Sequence, residues 1–178
     1  MKLSDLTAAL GLAAGYNNNI FDGEIGEIVE RGDKISAGSL LIVIKRLSEN
    51  IAVFDGEGQN TPVSVICDKS AIIKNCNAPI IRVHSARRAL SVAYSLFYNI
   101  DYDKLKIVAV TGTNGKTTTA TLIKKILEYA DYKVGFIGTG KIEIGKTTLT
   151  DSKYSMTTPD PKRLYSSLAE MQRAGCDF

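Results

Sequence analysis

Cysteine is scarce in this sequence. Three occur in 178 residues, Cys67, Cys76 and Cys176. Their number is odd and no two form a C-x-x-C pair, which argues against a disulfide framework and against a zinc site. The single histidine, His84, points the same way. A reducing, cytoplasmic setting fits this usage. Long apolar runs are missing too. The longest, "LLIVI" from Leu40 to Ile44, falls far short of the roughly 20 residues that a membrane-spanning helix needs. The opening "MKLSDLTAALGLAAG" carries Asp5 and lacks a continuous apolar stretch, so it reads as a short amphipathic helix and not as a secretory leader. Charge of one sign is not in excess. The net charge is +3, and no basic cluster suggests a nucleic-acid partner. Arg87 and Arg88 sit in a helical pattern and are expected to face solvent.

What is present is ordinary globular composition, 44% hydrophobic and 23% charged, enough for one domain or two small ones. Two halves differ. Up to about Asn99 the chain is rich in Ile and Val, with many Gly, Asp and Asn turns. "SLLIVIKRL", "PVSVICD" and "NAPIIRVHS" read as strands. "SARRALSVAYSLFYN" has apolar residues at Ala86, Ala89, Leu90, Ala93 and Phe97, which is helical spacing, with Ser85 as its N-cap. "IDYDKLK" is short and polar and reads as a linker. Beyond it, "KIVAVT" is a continuous apolar run, as in a parallel strand covered on both faces. A helix is predicted from about Lys116, with Leu122, Ile123, Ile126 and Leu127 on one face. "KVGFIG" is the next strand, completing a βαβ unit. "KIEIGKTTLT" suggests a hairpin around Gly145. A last helix has Asp160 as N-cap, Pro161 at its first position, Leu164, Leu168 and Met171 as its stripe, and Gly175 at its end.

The turn between "KIVAVT" and the following helix is Thr111-Gly112-Thr113-Asn114-Gly115-Lys116-Thr117. Glycines let successive backbone N–H groups face one anion, and the helix N-terminus adds its positive end. Lys116 supplies a full charge for the outer phosphates of a nucleotide. Thr117 offers a hydroxyl where Mg²⁺ would bridge to it. These are the parts of a P-loop. The spacing is displaced, since the first glycine of the usual pattern falls on Val110, but the Gly-Lys-Thr core is intact. The bland alternative is a glycine turn with an exposed lysine. Carboxylate pairs elsewhere, such as Asp22 with Glu24 and Asp101 with Asp103, lie in turns and read as structural.

"TGTNGKTTT" resembles the ATP-binding motif of the Mur ligase family. "SMTTPDP", Ser155 to Pro161, resembles the Thr-Thr-Pro segment of that family's MurE-type branch, and "GFIGTGKIEIGK" between them is similar as well. The resemblance runs from about Leu105 to Phe178 and is suggestive at "APIIRVHSARRALSVAYSLFYN". It implies an α/β fold with a small N-terminal mixed α/β domain over residues 1–100. An incomplete P-loop domain, doubly wound with a mostly parallel sheet, would follow over 101–178. It implies an ATP-dependent amide ligase of peptidoglycan precursor synthesis. Such an enzyme activates a carboxylate as an acyl phosphate and joins a diamino acid, meso-diaminopimelate on the family prior, to UDP-MurNAc-L-Ala-D-Glu. The implied cofactors are ATP and Mg²⁺. ATP would be held by Gly112, Thr113, Asn114, Gly115, Lys116, Thr117 and Thr118. Lys116 would be catalytic, Thr117 would be the Mg²⁺ ligand, and Thr157 and Thr158 would hold the muramyl-peptide substrate. A monomer without nucleic-acid or membrane partners is expected.

Over the first 75 residues the resemblance weakens. The family's uridine-binding Asp-Ser-Arg segment aligns best with "RGDKISAGSLLIVIK", where its acid falls on Arg31 and its serine on Gly32, so that contact does not carry over. "GEIGEIVERGDKISAGSLLIVIK" also resembles biotinyl or lipoyl carrier domains, but no lysine is displayed in the hairpin such a carrier requires. The later metal-binding acid, the modified lysine and the C-terminal domain that the resemblance implies have no counterpart among the 178 residues. The expectation is therefore a fragment, inactive by itself. The competing expectations are a non-catalytic ATP-binding remnant and another ligase of the superfamily, of the cyanophycin or folylpolyglutamate synthetase kind.

Overall fold

The computed structural model describes residues 1–12, 23–30, 35–45, 48–57, 60–145, 147–149 and 158–178. They form two compact units, Met1–Phe97 and Tyr98–Phe178.

The first unit is built on four parallel strands in the order β1 (Glu27–Glu30), β2 (Ser39–Val43), β4 (Ser64–Asp68) and β6 (Ile80–Val83). Central parallel strands are covered on both faces and so read as unbroken apolar runs. "SLLIV" is buried at every position. On one face Val29, Leu41, Val43, Val65 and Cys67 pack with Phe54 and Ala71. There the small parallel pair of β3 (Val53–Asp55) and β5 (Ile72–Lys74) supplies part of the cover. On the other face Leu40, Ile42, Ile66 and Ile81 stand in register, and α2 (Ala86–Phe97) packs against β2 and β4 while α1 (Leu3–Ala9) packs against α2. The parallel pairing of β1 with β2 excludes the displayed hairpin of a carrier domain, because a hairpin pairs its strands antiparallel. Arg31 and Gly32 lie outside the described residues.

The helix α2 starts where its sequence says it should. Ser85 Oγ accepts from Arg88 N at 3.2 Å. A second cap comes from Asp68 at the end of β4, whose Oδ1 accepts from Ala86 N at 2.7 Å. Replacing Ser85 with alanine is expected to cost about 1 kcal/mol, measured as a lower urea midpoint at unchanged slope. The effect is moderate because Asp68 keeps one of the first-turn donors satisfied.

In the second unit, α3 (Lys116–Tyr129) leads to an antiparallel sheet of β7 (Gly135–Gly138), β8 (Lys141–Ile144) and β9 (Thr147–Leu149). Gly145 turns the hairpin at φ 57°. The helix α4 (Pro161–Arg173) follows. Asp160 Oδ1 accepts from Arg163 N at 3.0 Å, and Gly175 ends the helix at φ 74°. Leu105, Ile142, Met171 and Cys176 form the core. Residues 99–105 are fastened to α4. Gln172 Oε1 accepts from Asp101 N at 2.7 Å, and its Nε2 donates to Asn99 O at 3.0 Å.

Two expectations need correction here. "KIVAVT" forms no strand ladder. Lys106 N donates to Asp177 O at 2.9 Å, but Ile107 and Val108 are 50% and 55% exposed. A buried parallel strand needs neighbours along both edges and cover on both faces, and this run has too few of either among the described residues. The apolar face predicted for α3 is also only half right. Ile123 and Leu127 are half-buried, but Leu122 and Ile126 are 56% and 66% exposed. Both pairs follow the i, i+4 rule on adjacent stripes, so spacing alone does not say which stripe is covered.

Candidate functional site

The turn from Thr111 to Thr117 sits between an apolar run and a helix, and its backbone adopts conformations that glycine makes cheap. Gly112 has φ 145° and Gly115, the N-cap of α3, has φ 77°. Only glycine enters these regions without steric cost. Gly115 O accepts from Thr119 N at 2.9 Å, which closes the first helical turn. The other first-turn N–H groups stay at the loop's mouth, as every helix start leaves them. Lys116 Nζ folds back over its own loop, donating to Gly112 O at 2.6 Å and to Thr113 O at 3.3 Å. The ammonium is therefore already aimed across the loop.

Lys116, Thr117 and Thr158 lie on the wall of one cavity of about 820 Å³, together with Gly112. Thr113, Asn114, Gly115 and Thr118 are exposed and stand off that wall. Thr157 lies outside the described residues. Gly138 at the end of β7, Thr139 in the turn after it, and Tyr165 of α4 line the same cavity. No site role is predicted for these three from the sequence. The signal available for two of them is "GFIGTG", small residues directly after a strand and hence at its carboxyl end. Thr158 and Pro159 precede α4, whose N-terminus favours anions.

The residues present fit a magnesium nucleotide. The loop offers N–H groups at a helix start, the Lys116 ammonium and the exposed Thr117 with its hydroxyl. Among the described residues no three carboxylate, histidine or cysteine side chains gather to hold a metal ion. A divalent cation here would lean on the nucleotide's own phosphates and on Thr117.

The first unit has a separate cavity of about 570 Å³ beyond the carboxyl ends of β2, β4 and β6, lined by Lys45, Asp68, Lys69, His84 and Arg87 among others. Ligands of open parallel sheets bind at this end. His84 lines this cavity, with its Nε2 3.4 Å from Lys69 Nζ. Arg82 pins the turn beneath, its Nη1 donating to the carbonyls of Lys69 and Ala71 at 3.1 and 2.9 Å. Cys67, Cys76 and Cys176 are free thiols. Burial pushes the Cys67 and Cys176 thiols above their ordinary range, so neither is a ready nucleophile. Among the described residues no helix is long and apolar enough to cross a membrane.

Residues 110–178 match the Mur ligase middle domain. Over 98% of its length the chain is 34% identical to a UDP-N-acetylmuramoyl-L-alanyl-D-glutamate–2,6-diaminopimelate ligase of Chlorobaculum tepidum, covering 34% of that protein. It is 32% identical over its whole length to the ligase of the same description from Parabacteroides distasonis, covering 36% of it. A relative of that description from Clostridium tetani is 42% identical over 98 residues, 55% of this chain and 20% of the relative. The chain thus spans about a third of the length of the curated relatives it matches over nearly its full extent.

Proposed function

We propose, on the match of residues 110–178 to the Mur ligase middle domain and the likeness of nearly the whole chain to the diaminopimelate ligases, that the whole protein is an ATP-dependent amide ligase of the Mur ligase family. It would join 2,6-diaminopimelate to the glutamate carboxylate of UDP-MurNAc-L-Ala-D-Glu, activated as an acyl phosphate. The observation that carries the reading is the shared cavity of Lys116, Thr117 and Thr158 at the start of α3. Residues 101–178 would be the ATP-binding part, the beginning of a doubly wound, mostly parallel P-loop sheet. Supporting this, Lys133 O accepts from Phe178 N at 3.4 Å and Gly135 N donates to Phe178 O at 2.8 Å, which is a parallel pairing pattern around Val134.

Lys116 would leave the carbonyls of Gly112 and Thr113 for the β and γ phosphates and balance the charge that develops as phosphoryl transfer proceeds. Thr117 would present its hydroxyl to Mg²⁺, which when bound draws charge from the transferring phosphoryl oxygens. Gly112, Thr113, Asn114, Gly115 and Thr118 would wrap the remaining phosphate oxygens with backbone N–H groups and hydroxyls. Thr157 and Thr158, just before α4, would hold the muramyl-peptide. Residues 1–100 would take the UDP end of the substrate. Lys45, Lys69 and Arg87 around the first unit's cavity supply the cations a pyrophosphate needs. The compartment we propose is the reducing cytoplasm, in keeping with three free thiols.

Mg-ATP should stabilise this chain. A ligand at about 100 times its Kd adds roughly 2.7 kcal/mol to a fold that alone binds it, read as a rise of several degrees in Tm by scanning calorimetry. No rise at millimolar Mg-ATP would count against the nucleotide reading.

A further inference from the structure

The helix that carries the phosphate loop is weakly anchored by apolar contacts. No residue of α3 is fully buried, and Leu122, Ile126 and Tyr129 are exposed. What holds it instead is polar. Lys124 Nζ donates to Glu143 Oε2 of β8 at 2.6 Å, with the two side chains only 14% and 15% exposed. Both oxygens of Glu143 are engaged, since its Oε1 accepts from Lys141 at 3.0 Å. Both ammoniums flank the ring of Phe136 on β7, Lys124 at 6.0 Å and Lys141 at 5.2 Å from its centroid. That ring in turn lies on Gly138, where an added Cβ would meet ring carbons at 2.5 and 2.8 Å. Gly138 and Thr139 line the cavity that holds Lys116. A continuous chain of contacts thus runs from the middle of α3 to the turn facing its N-terminal loop.

We infer that Lys124 and Glu143 are positioning residues. Their bridge sets where α3, and with it the phosphate loop, stands relative to the Gly138–Thr139 turn, so that both reach one bound nucleotide. The inference rests on the nucleotide reading of this cavity. An exposed ion pair would be too weak for the task, but this one is largely shielded, and removing one partner leaves the other with only its second counter-ion, Lys141 for Glu143 or Glu128 for Lys124. Lys124 lies eight residues beyond Lys116, about 12 Å along the helix axis, so a tilt at the bridge is felt at the loop. The hydrogen bond from Lys124 is the main reason the Glu143 carboxyl is held below its ordinary range, against burial and with help from Lys141. Burial pushes Lys124 down, but Glu143 and the more distant Glu128, 3.5 Å away, together raise it.

The test uses this chain with Mg-ADP as probe, in two arms: affinity by titration calorimetry, and amide hydrogen exchange along α3. Lys124→Met and Glu143→Gln are each expected to weaken Mg-ADP about tenfold and to speed exchange in α3 by a similar factor. Amides of β2 and β4 should stay as protected as in the wild type. The double variant should be no worse than either single one, because the two residues act as one pair. Lys124→Arg should restore both readouts, and Glu128→Gln should change neither. Unchanged affinity and exchange in both single variants would overturn the inference. So would strictly additive losses, or a loss of protection spread over the whole chain. Wild-type chain that binds no Mg-ADP would instead refute the nucleotide reading, and the exchange arm would still decide whether the pair positions α3.

Discussion

Replacing Lys116 with alanine is expected, on the ligase reading proposed above, to lower ligation by the whole protein by about 10² to 10³, the range seen when a fixed charge-stabilising donor is removed from a transition state. The readout is ADP release dependent on UDP-MurNAc-dipeptide and diaminopimelate. The structure explains why the loss should be chemical and not structural. Lys116 is the first residue of α3, half-exposed, and among the described residues its ammonium donates to the carbonyls of its own loop. Alanine is a good helix former, and surface changes of this kind move stability by less than about 0.5 kcal/mol. The Tm without nucleotide should therefore stay where it is, while the rise caused by Mg-ATP disappears. Retained ligation would refute the assignment of Lys116.

Ile66→Ala is expected to be among the most damaging single changes to the first unit. Ile66 is fully buried on β4, with Ile42 and Ile81 beside it in register. Truncating a buried isoleucine costs about 2–5 kcal/mol, from lost transfer energy plus the cavity left behind. In a unit of this size each kcal/mol lowers Tm by roughly 4–8 °C, so a fall of about 10 °C or more should be seen by scanning calorimetry. Ile80, its neighbour on β6, is 36% exposed and should lose under about 1 kcal/mol on the same substitution. Equal losses at the two positions would contradict the burial pattern described for this sheet.

The local devices are legible in the amino-acid sequence. Ser85, Asp160, Pro161 and Gly175 mark helix ends through their own side chains and dihedral preferences, and these act over three or four residues. The same holds for Gly145 in its hairpin and for the Gly-Lys-Thr loop that starts α3. "SLLIV" and "SVICD" stand out as buried strands because unbroken apolar runs survive only when both faces are covered. The loop's conformation is legible for the same reason, since a positive-φ turn running straight into a helix start calls for glycine at Gly112 and Gly115.

Other features are set at a distance. "KIVAVT" has the composition of a central strand, yet hydrogen-bond partners make a strand, and partners come from elsewhere in the chain. Periodicity puts four apolar residues on α3 but does not choose between the Ile123–Leu127 and Leu122–Ile126 stripes, because that choice depends on where β7 passes. Asp68 gives no sign of capping α2 from 18 residues away. Nothing in "KIEIG" announces that Glu143 meets Lys124. The sequence by itself determined the glycine turn that starts α3, the apolar runs of β2 and β4 and the points where helices begin and end, because those follow from interactions between near neighbours. Only the tertiary structure decided which apolar stripe is covered, which charges pair, and that Thr139 and Thr158 share a cavity with Lys116, because each of these depends on the packing of residues far apart in the chain.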